Sequence, residues 1–397
     1  MSRILLAWEL GQNLGHLARL LPIAKRLKEN GHTVLVAAHD LATAAMMLTP
    51  YGIPFIQAPQ ATTVWKTDRP LANYSELLWT QGWGDIAQLV GLLQAWLNLL
   101  RMFSPTKIML DHAPTAALVA RGTDIPAAWI GTGFEIPPLE SPLPAFPRAS
   151  VARATEMEGR LLEGVNQVLN AAKLPTLTAT RDLFAFCRRW FTTYAELDHY
   201  GPRSSEKYIG SFHELSRVAE IRWQSNSSCK IFAYLRPETP NCNLILKALA
   251  ESDAEVICFV PGLRPEIAKD IGRSGLTLSN EPLGLGQLRD EMDLCVSYAS
   301  AGVVASTLLA GVPQLCFPSH VESLLTSKRI EELGVGMALQ RASSPKAIAD
   351  AMSRMLEVQT FCLAAKNFAD KYRATTPDLA IDEIVAAIEV EPSSPTC

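Results

Sequence analysis

The sequence has few of the features that mark specialised classes of protein. No block of five or six like charges occurs, and 36 basic residues against 40 acidic residues give a net charge of -4. A nucleic-acid groove normally leaves a basic footprint, so we expect small-molecule partners and no nucleic acid. The composition, 48% hydrophobic and 19% charged, excludes a disordered chain.

Signals for export, membrane insertion and disulfide formation are also scarce. The opening run Ile4–Trp8 is shorter than a signal core, and proline and glycine interrupt the longest uncharged runs. The helix-like run from Ile86 to Leu100 is shorter than a membrane span, so we expect a buried amphipathic helix and no transmembrane segment. All eight cysteines lie at or beyond Cys187 without a CxxC pair, which predicts a reduced, cytoplasmic protein without a disulfide framework or a cysteine zinc site.

The chain of 397 residues is longer than one hydrophobic core usually supports, which predicts two domains. Short apolar runs alternate with helical patterns over the first 130 residues, and the alternation restarts at about residue 230. Such alternation is typical of α/β domains with parallel, doubly wound sheets. The predicted boundaries are 1–200 for an N-terminal domain, 201–228 for a linker, 229–375 for a C-terminal domain and 376–390 for a last helix, with a return of that helix to the N-terminal domain left open.

The turn after the first strand lacks the GxGxxG fingerprint of dinucleotide-binding proteins, because Gly11 and Gly15 are separated by three residues. It does supply His16 near the start of a helix, while Asp111 ends the fourth strand. The carboxyl ends of neighbouring parallel strands converge, so Asp111 is predicted within reach of His16. Such a pair would make His16 a general base. The spacing is equally consistent with His16 capping the helix and Asp111 bonding to loop amides.

In the second half, a strand ends near Ser297, a turn of small residues follows, and a helix begins near Gly302. The unpaired amides at such a helix start, together with the helix dipole, suit an anionic diphosphate. Small residues at a strand–helix turn also simply permit close packing.

Taken in order, these motifs resemble those of the GT-B glycosyltransferases, close to the UDP-glycosyltransferase and macrolide-glycosyltransferase group (families 1 and 28). The resemblance spans nearly the whole chain. It implies two Rossmann-like domains facing an interdomain cleft, with the acceptor on the N-terminal domain and a nucleotide sugar on the C-terminal domain. The matching segments are Gly15-His16-Leu17-Ala18-Arg19, Gly31-His32-Thr33-Val34, Leu110-Asp111, Tyr208-Ile209-Gly210, Ala310-Gly311-Val312-Pro313, Pro318, Glu322 and Leu333-Gly334-Val335-Gly336.

The resemblance implies catalytic roles for His16 as the base and Asp111 as its partner. The loop predicted to bind the acceptor is Gly131, Thr132, Gly133 and Phe134. The residues predicted to bind the donor are Tyr298, Ser300, Ala301, Gly302, Val303 and Glu322, joined by Arg236 and His320 from their places at strand ends. For Arg236 a solvated surface position remains an alternative, and for His320 a place in a helix-capping turn.

Several donor positions depart from the family pattern. Tyr298 stands where the family usually has a histidine, Ser300 replaces a glycine and Val303 replaces a serine or threonine. Ser306 and Ser323 replace an acidic residue and a glutamine. Each lost contact is expected to weaken nucleotide binding by roughly 1–3 kcal/mol where the site is buried.

The sequence thus predicts an inverting, metal-independent glycosyltransferase, with a UDP-sugar as the favoured co-substrate, a small-molecule acceptor and no further cofactor. No DxD sequence is present to suggest a metal-bound diphosphate. Two alternatives stay open: a catalytically silent GT-B protein that acts as a binding module or partner subunit, and a sugar-nucleotide epimerase. The oligomeric state is not predicted.

Overall fold

The computed structural model describes residues 1–12, 14–67, 69–219, 221–224, 229–271, 276–279, 281–340 and 344–390. The chain divides into two compact units. Unit 1 comprises Met1–Tyr194, Arg203–Ser216 and the chain from Pro377, and unit 2 comprises Ala195–Pro202 and Arg217–Thr376. Residues 225–228 of the predicted linker and the polar tail 391–397 lie outside the described residues.

Strands and helices alternate along unit 1. Its strands are β1 (Arg3–Trp8), β2 (Thr33–Ala38), β3 (Phe55–Gln57), β4 (Lys107–Asp111), β5 (Ala127–Gly131) and β6 (Arg188–Phe191). Its helices in the first part of the chain are α1 (Gly15–Glu29), α2 (Leu41–Leu48), α3 (Tyr74–Leu78), α4 (Ile86–Phe103), α5 (Pro114–Ala120), α6 (Val151–Ala171) and α7 (Asp182–Ala185).

Unit 2 repeats the alternation. Its strands are β7 (Lys230–Tyr234), β8 (Glu255–Phe259), β9 (Leu276–Ser279), β10 (Leu294–Ser297), β11 (Gln314–Cys316) and β12 (Gly336–Ala338). Its helices are α8 (Cys242–Glu251), α9 (Pro265–Asp270), α10 (Leu285–Leu288), α11 (Ala301–Leu308), α12 (Val321–Glu332), α13 (Pro345–Glu357) and α14 (Gln359–Lys371), after which α15 (Pro377–Glu389) belongs to unit 1.

Each unit is built on a six-stranded parallel sheet. The strand order is β3-β2-β1-β4-β5-β6 in unit 1 and β12-β11-β10-β7-β8-β9 in unit 2. The order reverses between β1 and β4, and again between β7 and β10, and ligands bind at such switch points in open α/β sheets. The predicted α/β class with two Rossmann-like domains is confirmed.

The apolar strands explain why both faces of the sheets are covered. In β1 every residue from Ile4 to Trp8 is buried, and such continuous burial is typical of a parallel sheet with helices on both sides. Helix α1 turns Leu17, Leu20 and Leu21 into the same core cluster. The carboxyl ends of β1 and β4 are thereby held side by side, with Trp8 paired to Asp111.

The sequence did not predict two short edge strands, β6 and β12. β6 opens with Arg188 and Arg189, and β12 is a three-residue strand that begins with Gly336, so neither has an apolar pattern. Residues 203–216, predicted as linker, pack on unit 1: the Ile209 amide donates to the Phe191 carbonyl at 3.0 Å, and the Glu214 amide donates to the Ala18 carbonyl at 2.8 Å.

Among the described residues, α4 is the one helix that is long and apolar enough to cross a membrane by length and composition. One of its faces is buried and includes Leu89, Leu93 and Trp96. The other carries polar groups, where Gln94 Nε2 donates to Asn98 Oδ1 at 3.0 Å. The helix therefore has the amphipathic pattern that the sequence predicts.

Candidate active site

His16 and Asp111 meet at the switch point of the unit 1 sheet. His16 lies in the first turn of α1, Asp111 ends β4, and His16 Nδ1 lies 2.8 Å from Asp111 Oδ1. A carboxylate only accepts hydrogen bonds, so this contact assigns the proton to Nδ1 and leaves the lone pair on Nε2. Of the two arrangements that the spacing allowed, the structure contains the histidine–aspartate pair.

Arg19 is a buried neighbour of this pair, and only 2% of its surface is exposed. Its Nε donates to Asp111 Oδ2 at 2.9 Å, and its Nη2 donates to Asp111 Oδ1 at 2.6 Å. This two-pronged contact fixes the plane of the carboxylate. Nη2 also lies 3.0 Å from Glu135 Oε1 and 3.2 Å from His16 Nδ1.

The predicted acceptor loop follows β5 and reaches this cluster through Glu135. The amide and hydroxyl of Thr132 both donate to Glu135 Oε2 at 2.9 Å. Gly131 accepts a hydrogen bond from the Thr192 amide at 2.8 Å, and Gly133 has a φ of 108° that favours glycine. The structure therefore brings the loop and His16 to one edge of the sheet.

Phe134, the last residue of that loop, belongs to an aromatic cluster beside the pair of His16 and Asp111. Its ring centroid is 5.9 Å from that of Phe146, 6.0 Å from that of Tyr74 and 6.3 Å from that of His112. The His112 ring is in turn 5.8 Å from the His16 ring. Burial lowers the pKa of His112 to about 3, with the nearby His16 acting in the same direction, so His112 is neutral at physiological pH.

The buried charges compensate one another. Burial raises the pKa of Asp111, but the charges of Arg19 and His16 outweigh burial, so the pKa lies below its ordinary value. The same balance, again dominated by Arg19, lowers the pKa of Glu135. Both groups are therefore carboxylates at neutral pH, and the two negative charges face one guanidinium.

The backbone of Gly11 passes close to His16 Nε2. It has a φ of 85°, a backbone conformation that L side chains rarely adopt. A Cβ atom built on Gly11 would collide with His16 Nε2 and would lie 3.2 Å from His112 Nδ1. Glycine is therefore required here both by the backbone and by the approach to the imidazole. One face of the His16 ring stacks on Trp8, with centroids 5.3 Å apart.

In unit 2 five of the predicted donor residues, Tyr298 and residues 300–303, lie in the segment between β10 and the first turn of α11. Ala299 has a φ of 65°, an unfavourable value for alanine, and Ser300 is the residue before the helix. Ala301, Gly302 and Val303 then form the first turn, whose amides have no acceptor within the helix. These amides are the group of donors that the sequence predicts for a diphosphate.

Tyr298 precedes this turn and is buried among aromatic side chains. Its ring centroid is 5.2 Å from that of Tyr234 and 6.1 Å from that of His320. Burial raises the pKa of Tyr298 well above its ordinary value, and its phenol is hydrogen-bonded with Tyr234 and Ser300. Arg236 acts electrostatically on both Tyr298 and His320, so the predicted donor residues after β7, β10 and β11 lie close together.

His320 and Glu322 flank the start of α12. His320 is the N-cap of this helix: its Nδ1 accepts from the Ser323 amide at 3.4 Å, and the Ser323 hydroxyl accepts from the His320 amide at 3.0 Å. The alternative assignment of His320 to a helix-capping turn is therefore supported. Glu322 lies 3.9 Å from His199 Nε2 and is about one-third exposed, at 36%.

Sequence reasoning missed three residues of the unit 1 site, Gly11, Arg19 and Glu135. Arg19 is three residues beyond His16 and so shares its helix face, which was an available signal. Glu135 directly follows the predicted loop, but in the sequence it does not differ from an exposed loop carboxylate. The requirement for glycine at position 11 depends on a ring that approaches from another element.

A family model and several solved structures are similar to this chain. Residues 243–389 match the family model for the C-terminal domain of erythromycin biosynthesis protein CIII-like proteins. No curated protein matches the chain. Among solved structures, the spinosyn rhamnosyltransferase SpnG aligns with a TM-score of 0.69 at 15% identity, covering 98% of this chain and 100% of SpnG. The chain has the GT-B fold.

Two further glycosyltransferase structures of this fold have similar scores. The calicheamicin glycosyltransferase CalG4 aligns with a TM-score of 0.70 at 17% identity, covering 98% of this chain and 99% of CalG4. The glycosyltransferase SsfS6 of Streptomyces sp. SF2575, in complex with thymidine diphosphate, aligns with a TM-score of 0.67 at 18% identity over 98% of this chain and 99% of its own. The resemblance to macrolide and related glycosyltransferases is confirmed.

Proposed function

We propose that this GT-B protein is an inverting glycosyltransferase that moves a sugar from a nucleoside diphosphate to the hydroxyl group of a small acceptor. The observation that carries the proposal is the contact between His16 and Asp111, which places the proton on Nδ1 and leaves the lone pair of the partly exposed His16 ring on Nε2. A neutral imidazole in this state is a general base for a hydroxyl proton.

In the proposed reaction the acceptor oxygen attacks the anomeric carbon as its proton passes to His16 Nε2. The bond between that carbon and the diphosphate oxygen breaks, and the nucleoside diphosphate leaves with the bonding electrons. Asp111 stabilises the imidazolium that forms, because its carboxylate is already bonded to Nδ1. Attack from the side opposite the leaving group inverts the anomeric configuration.

The donor is proposed to bind unit 2 at the β10–α11 turn. The amides of the first turn of α11 would receive the diphosphate, and Arg236 would add positive charge. SsfS6 and SpnG are each known in complex with thymidine diphosphate, and SpnG also with the spinosyn aglycone. Thymidine diphosphate sugars therefore join UDP-sugars as donors to be tested, with aglycones as acceptors.

Metal independence is supported by the place of Arg19. His16, Asp111 and Glu135 form the group of described side chains whose ligand atoms lie close enough to share a cation. The Arg19 Nη2 atom contacts all three, so the protein's own cation stands between them. We therefore expect transfer to persist in EDTA.

A catalytically silent GT-B protein is the second candidate, and it is favoured by the side chains of the donor turn. Val303 supplies no hydroxyl, and Ser323 is engaged in capping α12. Calorimetry with UDP and thymidine diphosphate separates the two readings, because a silent protein with an eroded pocket binds neither nucleotide at millimolar concentration.

The test of the main proposal is a transfer assay with the full chain. Thymidine diphosphate sugars and UDP-sugars are each combined with a panel of hydroxyl-bearing aglycones, with and without EDTA. We expect nucleotide release that depends on the acceptor, and NMR of the product should show an inverted anomeric centre. Retention of configuration, abolition by EDTA, or sugar-nucleotide turnover without any acceptor would each contradict it.

A further inference from the structure

Arg19 and Glu135 form a second, buried layer behind the proposed catalytic pair. In the simplest form of such a pair, one carboxylate orients the imidazole and stabilises its protonated state. Here the Asp111 carboxylate is also held by a guanidinium through two hydrogen bonds, at 2.6 and 2.9 Å. An isolated arginine in this position would cancel the charge that the imidazolium needs.

Glu135 restores that charge. Each guanidinium Nη atom carries two N–H groups, and the two on Arg19 Nη2 have carboxylate acceptors at 2.6 Å in Asp111 and 3.0 Å in Glu135. Nη2 also lies 3.2 Å from His16 Nδ1. Because both of its hydrogens are donated to carboxylates, Nη2 brings a positive charge close to the ring but donates no hydrogen bond to Nδ1. With neutral His16 the cluster holds two negative charges and one positive charge, and protonation of His16 makes it electrically neutral.

We propose that Arg19 and Glu135 are a coupled pair of positioning residues that sets the protonation of His16. Arg19 locks the Asp111 carboxylate in the plane that receives Nδ1–H and repels the imidazolium. Glu135 offsets that repulsion and connects the cluster to the predicted acceptor loop through Thr132. The link of this effect to catalysis rests on the proposed function, but the effect on His16 does not.

Other groups around His16 define the background against which this pair acts. His39, His112 and His213 interact electrostatically with it from the ends of β2 and β4 and from the 203–216 segment. Burial lowers the pKa of all three, so they are neutral near pH 7. Trp8 covers one side of the ring. Among the described residues, the charges that contact or interact with the imidazole are those of Asp111, Arg19 and Glu135.

The inference predicts opposite effects for two substitutions. Glu135→Gln removes a negative charge, so the pH at which His16 is half-protonated should fall by about one unit or more. Arg19→Met removes a positive charge, so the same midpoint should rise by a similar amount. Arg19→Lys keeps the positive charge but loses the planar guanidinium that donates two hydrogen bonds to Asp111. The pH at which His16 is half-protonated should stay within about 0.3 of the unaltered value in this variant.

The experiment is an NMR titration of the full chain carrying 13C at the histidine Cε1 atoms. The chain has seven histidines, and the His16 signal is the one that disappears in His16→Gln. Glu206→Gln is the matched control, since it breaks a partly buried arginine–glutamate pair, with Arg189 at 2.7 Å, for which no contact with His16 is found among the described residues. Its midpoint should equal that of the unaltered protein.

Shifts in opposite directions for Glu135→Gln and Arg19→Met, with Glu206→Gln unmoved, would support the inference. Midpoints within about 0.3 of the unaltered value for both variants would overturn it. If Arg19→Met does not fold, Glu135→Gln alone decides in the same way. The titration needs no transfer activity, so an absence of transfer with any donor would refute the proposed function and leave this result standing.

Discussion

The two strand-end turns at the centres of the two sheets are built from different kinds of residue. At the switch point of unit 1, the charged side chains of Asp111, Arg19 and Glu135 come from three different elements and are buried and bonded to one another. The unit 2 turn holds Tyr298 among aromatic rings, followed by small residues whose backbone amides open α11. Under the proposed function, side chains would therefore carry the chemistry of unit 1, whereas the backbone would supply most of the donor recognition in unit 2.

This contrast predicts that substitutions in unit 1 change the rate, while substitutions in unit 2 change the affinity for nucleotide. Three of the four substitutions below test this contrast, and the fourth, Glu9→Gln, tests how a buried charge in unit 1 affects stability.

The largest effect is expected from Asp111→Asn. The amide no longer stabilises an imidazolium, and it allows His16 to adopt the other tautomer, so transfer should fall by about 1,000-fold. Initial rates of nucleotide release measure the effect. Asp182→Asn is the control, because Asp182 accepts hydrogen bonds from Thr178 and has no role at the site. Equal rates in Asp111→Asn and the control would contradict the claim that side chains of unit 1 set the rate of transfer.

Glu9, a buried carboxyl group of unit 1, is expected to affect stability rather than rate. It is 2% exposed, and burial raises its pKa from 4.5 to about 7 against the hydrogen bonds from Thr115 and Ala116. Between these two values the folded chain keeps a proton that the unfolded chain loses. The stability contribution of the group therefore falls as pH rises through this window, by about 3 kcal/mol in total.

Glu9→Gln should remove this slope. Thermal unfolding at pH 5 and pH 8 is the measurement. The melting temperature of the variant should increase relative to that of the unaltered protein as pH rises. A constant difference between the two proteins across this range would show that Glu9 ionises as it does in water.

Gly11→Ala tests the space in front of the imidazole. The methyl group would collide with His16 Nε2, and the backbone φ of 85° is strained for alanine, so we expect a loss of transfer of about 30-fold. Nucleotide affinity, which is proposed to depend on unit 2, should not change. Gly159→Ala is the control, since a Cβ there meets no atom within 4 Å. Normal transfer by Gly11→Ala would place the acceptor elsewhere.

Val303→Thr gives the smallest expected effect, and it lies on the unit 2 side. A hydroxyl in the first turn of α11 adds one donor for a diphosphate, which should tighten nucleotide binding about fivefold, or roughly 1 kcal/mol. Calorimetry with thymidine diphosphate and UDP measures it, and Val303→Ala is the control without a hydroxyl. Unchanged affinity in Val303→Thr would argue that another ligand occupies this turn.

The sequence predicted those parts of the molecule that depend on local pattern. The apolar strands and their alternation with helices indicated the parallel sheets, and the convergence of strand ends brought His16 to Asp111. The buried layer behind them was not predicted, because Arg19 resembles an exposed arginine on an amphipathic helix and Glu135 an exposed loop carboxylate. Their burial depends on contacts among α1, β4 and the loop after β5, which no single segment reveals.

The same limit applies in unit 2. The small residues of the β10–α11 turn were recognisable in the sequence, but the engagement of Ser323 in capping α12 follows from the geometry of the helix start. A hydroxyl that satisfies a helix end is not distinguishable, in a sequence, from one that faces a ligand.

The most direct test of the central claim is to measure transfer and nucleotide affinity side by side in His16→Asn. If His16 is the base and unit 2 binds the donor, the variant should bind the nucleotide with unchanged Kd and lose nearly all transfer. Transfer at the unaltered rate, or loss of nucleotide binding together with transfer, would contradict the division of labour between the two units.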